Sequence, residues 1–269
     1  MLLSTKSPII IEVCVDSVQS ASNAVQGGAD RLEVCGNLGV GGGTTPSLGL
    51  LKAIQKSVGD VPIMTMVRPR TGDFLYSDDE VEVMLEDIRV FKRHGVRGVV
   101  LGVLKADGRV DLEVTKRLVD EALPLQGECR LLDALVLTST RSSGHGKTVM
   151  EALDTLESLY QTTQDLADDL PRVLNILPGS GINTETVGPL LDALLPHGLL
   201  EIHLSGGSWV ESGMKHRRAG LNMGVGESEW RVWVTGEVKV REVRRFADVV
   251  WKEYHKDLES SRSRQSRVG

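Results

Sequence analysis

The chain has 269 residues, is 41% hydrophobic and 25% charged, and carries a formal net charge of −6 at pH 7. This is the balance of an ordinary globular protein, long enough for one large α/β domain or two small ones. The acidic excess speaks against a basic nucleic-acid-binding face, and with no run of 18 apolar residues no membrane-spanning segment is expected.

The first segment, MLLSTKSPIIIEVCVDS, has no charged stretch ahead of its apolar run, and Glu12 interrupts that run early, so it reads as a strand and not as a signal peptide. Only three cysteines occur, Cys14, Cys35 and Cys129. An odd, low number of cysteines without a secretion signal predicts free thiols in a reducing compartment, the cytoplasm first and the nucleus second.

Strands rich in Val, Ile and Leu are expected at IIIEVCV (9–15), RLEVC (31–35), PIMTMV (62–67), GVVLGV (98–103), ALVLTS (134–139), RVLNIL (172–177) and LLEIHL (199–204). Their starts lie roughly 22 to 38 residues apart, room for one helix between each pair, which predicts βαβ units and a parallel sheet. WRVWV (230–234) is a possible eighth strand that fits the period poorly. The helix signals agree. Asp16 and Ser17 open the first helix and Gly27-Gly28 close it, while Thr45-Pro46 marks the start of another. Ser77-Asp-Asp-Glu80 is a capping box before a run ending near Gly95. Asn183-Thr184 opens a helix that ends near His197-Gly198, and 237–255 reads as a closing amphipathic helix. The first strand lacks the G-x-G-x-x-G of a dinucleotide-binding fold, and the even repetition favours a (β/α) barrel. One barrel domain is expected over residues 1–256, followed by a polar, unstructured tail at 257–269. Gly146-Lys147-Thr148 is no P-loop, because Arg141 stands where that motif needs glycine.

The most informative pattern is a repeated Glu-Val-Cys. Glu12 and Cys14 end the first strand, and Glu33 and Cys35 end the second. Residues two apart on a strand share a face, so both pairs would point to the barrel axis at the carboxyl ends, where barrel active sites are built. A carboxylate facing an interior is costly unless it is paired, so two at equivalent positions suggest a site. Arg68, after the third strand, is a candidate to neutralise them, with Asp73 in the same loop. His203 on the last strand repeats the alternation as a candidate acid, base or ligand. The glycine-rich turns at Gly179, Gly181, Gly206 and Gly207 could seat an anion on backbone N–H groups. The plain structural alternatives are core cysteines, a satisfied core histidine, a solvated arginine and tight-turn glycines.

The stretches IEVCVDSVQSASNAVQGGADRLEVC, GGGTTPSLGLL and MVRPRTGDFLYSDDEVEVMLEDI, with LPGSGI, EIHLSG and SGMK further on, resemble the CutC copper-homeostasis family. The resemblance implies a TIM-type (β/α) barrel, cytosolic residence, self-association into a homo-oligomer and a role in copper homeostasis. It also implies Cu(I) binding through cysteines at the positions of Cys14 and Cys35, which suits soft thiolate donors. The family carries one further strand-and-helix unit, with a Phe-His-Arg-Ala-Phe-Asp motif, where this chain runs directly through ALPLQGECRLLDALVLTS. Seven barrel units in place of eight are therefore expected. Three readings remain open: a copper protein with Cys14 and Cys35 as ligands, an enzyme of lyase or isomerase type, or a non-functional product, as the lost unit suggests. The enzyme would use Glu12, Glu33, Arg68, Asp73 and His203 on a small anionic or phosphorylated metabolite.

Overall fold

A computed structural model describes residues 6–123, 148–165, 175–218 and 229–265, with side chains to 261. The expected strand at 134–139, Cys129 and most of the P-loop-like stretch lie outside these residues.

Five strands form one parallel sheet: β1 (Ile10–Val15), β2 (Arg31–Val34), β3 (Ile63–Met66), β4 (Gly98–Val100) and β5 (Glu201–Leu204), in the order β4-β3-β2-β1-β5. The α/β class and the parallel sheet expected from the spacing are therefore present. The chain's last parallel strand lies beside its first, as ring closure in a barrel requires. On the other side of β5, the His203 N–H donates to the Pro178 carbonyl at 2.8 Å. The described end of the expected 172–177 strand thus runs along that edge, although residues 175–179 form no regular strand.

Crossover helices cover the sheet. In α1 (Val18–Gln26) the Ser17 hydroxyl accepts the Ser20 N–H, and Gly28 has φ +98° just past its end. The next helix begins later than Thr45-Pro46 suggests. Ser47 caps α3 (Leu48–Val58), and a short helix, α2 (Leu38–Gly41), precedes it. The Ser77–Glu80 capping box opens α4 (Asp78–Arg93), which buries Val81, Met84, Leu85, Ile88 and Phe91 at helical spacing. There follow α5 (Leu112–Ala122), α6 (Leu153–Asp165) and α7 (Val187–Leu194), the last carrying fully buried Leu190, Leu191 and Leu194. Asn183 opens a turn ahead of α7: its side chain accepts the N–H groups of Glu185 and Thr186, and the helix proper starts at Val187. No helix among the described residues is long and apolar enough to cross a membrane.

Two departures from expectation lie near the end of the chain. WRVWV is a strand, but not an eighth member of the sheet. As β7 (Arg231–Thr235) it pairs antiparallel with β6 (Gly207–Glu211) in a separate hairpin, where Trp209 and Trp233 stack edge to face at 5.5 Å. Gly207 is required by that packing, because a Cβ there would lie 2.3 Å from the Trp233 indole. The closing helix, α8 (Glu237–Gln265), continues through much of the polar stretch expected to be unstructured.

Candidate metal centre

The sheet register decides which side chains meet. Glu12 pairs with Arg31 on one side and His203 on the other, and Cys14 pairs with Glu33. Alternation therefore brings Glu12, Cys14, Arg31, Glu33, Glu201 and His203 to one face of the sheet. Val13, Val15, Leu32 and Ile202, of opposite parity, are fully buried in the apolar core. Glu12, Glu33 and Glu201 are almost wholly buried too, an arrangement tolerated only with counter-charges.

The counter-charge is Arg31. Its Nε donates to Glu12 Oε2 and its second nitrogen to Glu201 Oε2 at 2.6 Å. Glu12 uses its other oxygen, Oε1, to hold His203 Nδ1 at 2.8 Å. The far ring nitrogen, Nε2, lies 3.4 Å from Glu33 Oε2. The Cys14 sulfur, a Glu33 oxygen and a His203 nitrogen all lie within 4.8 Å of one another. Donors around one ion at bonds of about 2.0–2.3 Å sit roughly 3.5 Å apart, so small side-chain shifts would close this set on a metal.

The electrostatics follow from burial. Desolvation pushes Glu33 up to about 7, with His203 offsetting only part of it. Burial also raises the Cys14 thiol. Glu12 goes the other way: burial is outweighed by the His203 contact and by Arg31, which lower its pKa. For His203, burial opposes the charge, but the Cys14 sulfur and the carboxylates of Glu12 and Glu33 outweigh it and raise the pKa well above the ordinary value.

These shifts predict a pH dependence for the metal-free protein. Glu33 and His203 hold protons in the folded state that they release more readily once unfolded. Their contribution to stability is therefore full at low pH and lost as pH rises toward and past neutrality. Glu12, with its lowered value, adds nothing further above about pH 5. Urea midpoints of the metal-free protein should fall between about pH 5 and pH 7, and Glu33→Gln should flatten part of that slope. A midpoint that rises over this interval would contradict the assignment.

The other expected residues sort themselves by contact. Cys35 follows β2 and is fully buried, and its thiol donates to the Val15 carbonyl at 3.6 Å. It is not among the three clustered side chains. Burial first, then Cys14, Glu33 and Asp16, raise its pKa well above the ordinary value. Gly43 (φ +92°) packs over it, where a Cβ would lie 3.3 Å from the Cys35 Cβ and 2.7 Å from the Met66 methyl. Arg68 is buried, yet it does not neutralise the glutamates. Its guanidinium donates to the carbonyls of Gly41, Gly43 and Gly72 at 2.8 Å each and lies over the Phe74 ring, so it ties two loops together. Asp73 points to solvent and pairs with Arg70 at 3.0 Å. Gly179 abuts the His203 side chain, whereas Gly181 packs on Thr148, Gly206 on Val240 and Gly207 on Trp233. Arg31 and Glu201 complete the network: the sequence places Glu201 in the same alternation as His203 but assigns it no role, and it singles out Arg31 for none. Arg31 shares strand parity with Glu33, and Glu201 with His203, and that parity is the signal that could have found both.

Comparison with known proteins converges. The family model for CutC matches residues 9–208. A mouse protein named copper homeostasis protein cutC homolog is 40% identical over 248 residues, covering 88% of this chain and 89% of the mouse protein. The human protein of the same name is 37% identical over 254 residues, with the same coverage. A CutC family protein of Aliivibrio fischeri is 32% identical, covering 88% of this chain and 98% of its own length. The fold also matches a crystal structure of a Streptococcus agalactiae CutC protein with a TM-score of 0.59. That match is 22% identical and covers 73% of this chain and 98% of that one, a likeness of fold alone.

Proposed function

Because the chain belongs to the CutC copper-homeostasis family, we propose that it handles copper by binding Cu(I) on the inner face of its sheet, through Cys14 and His203 with Glu33 beside them. The observation that carries this is the convergence of a thiol, an imidazole and a carboxyl within 4.8 Å. Thiolate and imidazole are the donors a soft monovalent ion prefers, and the carboxylate is the least suited of the three. Binding would displace the Cys14 proton and the proton on His203 Nε2, so uptake strengthens as pH rises. Cu(I) is the cargo in this reading. A nearly closed site of this kind protects it from water and oxidants.

The test is an anaerobic Cu(I) titration against a chromogenic chelator. About one equivalent per chain should bind more tightly than the chelator competes, with a thiolate-to-Cu(I) charge-transfer band in the ultraviolet. No retained copper would end the proposal.

A second reading has one observation in its favour. A carboxyl at about 7 beside a histidine held by another carboxylate is a poised acid–base pair. The ligand would be a small anionic metabolite, and a thermal shift lost in Glu33→Gln would support it. Copper ranks first, because the side chains of Glu12, Glu33 and His203 are only 0%, 4% and 14% exposed. That leaves little surface for an organic substrate to touch.

A further inference from the structure

We propose that Arg31 and Glu12 are positioning residues of this centre: they lock the His203 ring so that Nε2 alone, and not Nδ1, is offered to the ion between Cys14 and Glu33. The inference deepens the copper reading and rests on it.

The two oxygens of Glu12 do different work. One is held by Arg31 Nε and the other accepts from His203 Nδ1 at 2.8 Å. Arg31 is itself fixed from a second side, because its terminal nitrogen reaches Glu201 at 2.6 Å. Arg31 stands on β2, Glu12 on β1 and Glu201 on β5, so one guanidinium spans three adjacent strands. The planar fork of arginine engages the two carboxylates from separate nitrogens in a fixed geometry, which the compact, freely rotating ammonium of a lysine does not supply. With Glu12 unable to rotate, Nδ1 is committed to it and the ring plane is set. Nε2 then faces Glu33 at 3.4 Å, and a His203 nitrogen, the Cys14 sulfur and a Glu33 oxygen lie within 4.8 Å of one another.

Stability alone does not call for such a network, since well-packed apolar side chains of similar volume commonly serve a core as well or better than a buried ion pair. A carboxylate holding the far nitrogen of a ligating histidine fixes its tautomer and raises its basicity, which tightens metal binding. Without Arg31, Glu12 would be free to turn and the ring to follow.

The test uses the full-length protein with 15N-labelled histidine. In the metal-free wild type the proton on His203 Nδ1, identified by its loss in His203→Gln, should resonate downfield as a charge-assisted hydrogen bond. In Arg31→Met it should move upfield or vanish, and Cu(I) affinity should fall about 10- to 100-fold. Arg31→Lys, which keeps the charge, should move the proton less and cost under about tenfold. If Arg31→Met does not fold, Arg31→Lys decides, and an unmoved proton in it overturns the inference. Folded variants that keep both the proton and the affinity, within about threefold, also overturn it. A wild type that takes up no Cu(I), but whose ring proton moves in Arg31→Met, sinks the copper reading and upholds the positioning of the ring.

Discussion

Cys14→Ser should weaken Cu(I) binding by at least roughly 100-fold, or about 3 kcal/mol, while Cys35→Ser stays within about threefold of wild type. The contrast is sharp because the two residues look equivalent in sequence, each closing an identical Glu-Val-Cys. In the fold they are not equivalent. The Cys14 sulfur clusters with Glu33 and His203, and an imidazolium nearby partly offsets the burial that opposes its ionisation. The Cys35 thiol is turned to a backbone carbonyl. Ionising it would place a second negative charge close to Cys14, Glu33 and Asp16 without a cation among them. A hydroxyl can replace its hydrogen bond to Val15, so Cys35→Ser should fold and serve as a matched control. Chelator competition under anaerobic conditions reads both constants. Equal losses in the two variants would show a two-thiolate site and remove Glu33 and His203 from the ligand set.

What the sequence made legible was whatever a period could carry. Strand alternation placed Glu12, Cys14, Glu33 and His203 on one face, and the structure puts three of those four within reach of a single ion, with Glu12 behind the histidine. The spacing of apolar runs gave the parallel sheet. The same alternation contained Arg31 and Glu201, but a charged residue at the very start of a strand looks like solvated flank, and Arg68 drew the counter-ion role instead. Arg68 lies two residues past Met66, where no period governs the chain, and the carbonyls of the neighbouring loops reach it first. The hairpin was illegible for a related reason. Its strands are separated by 19 residues, and SGGS reads as a turn until Trp233 is seen to need the space at Gly207. The length of α8 is not legible in the sequence, because polarity alone does not tell disorder from a solvated helix. A solvated helix carried by residues such as Ser260, which bonds back to the Lys256 carbonyl, has the same composition.

The chain just ahead of the strands does different work from the network carried on them. Cys14 and His203 lie toward the carboxyl ends of β1 and β5, while the residues just ahead of β1 and β2 are held by Arg244 of α8. Conservative damage to one should therefore be separable from damage to the other, as barrel-like folds commonly divide site from support.

Arg244→Met should accordingly cost about 3–5 kcal/mol of stability, while sparing Cu(I) affinity in molecules that remain folded. Arg244 is only 7% exposed. It donates to the Ile9 carbonyl at 2.9 Å and the Gly28 carbonyl at 3.3 Å, pairs with Asp30, and lies 3.5 Å from Asp248. Asp30 in turn accepts the Ile11 N–H at 2.8 Å, and Asp248 accepts the Ser7 N–H and hydroxyl at 2.9 and 2.8 Å. Removing the cation strips partners from both carboxylates and two carbonyls at the point where α8 closes over β1. Against a total of about 5–15 kcal/mol for a domain, that loss is a large fraction. Arg241→Met, which removes only the exposed pair with Glu237, should change stability by under about 1 kcal/mol and marks the scale of an ordinary surface ion pair. Urea denaturation followed by circular dichroism measures both. An Arg244→Met midpoint no lower than that of Arg241→Met would mean that α8 is held by its apolar face alone, through Val240, Val243 and Ala247.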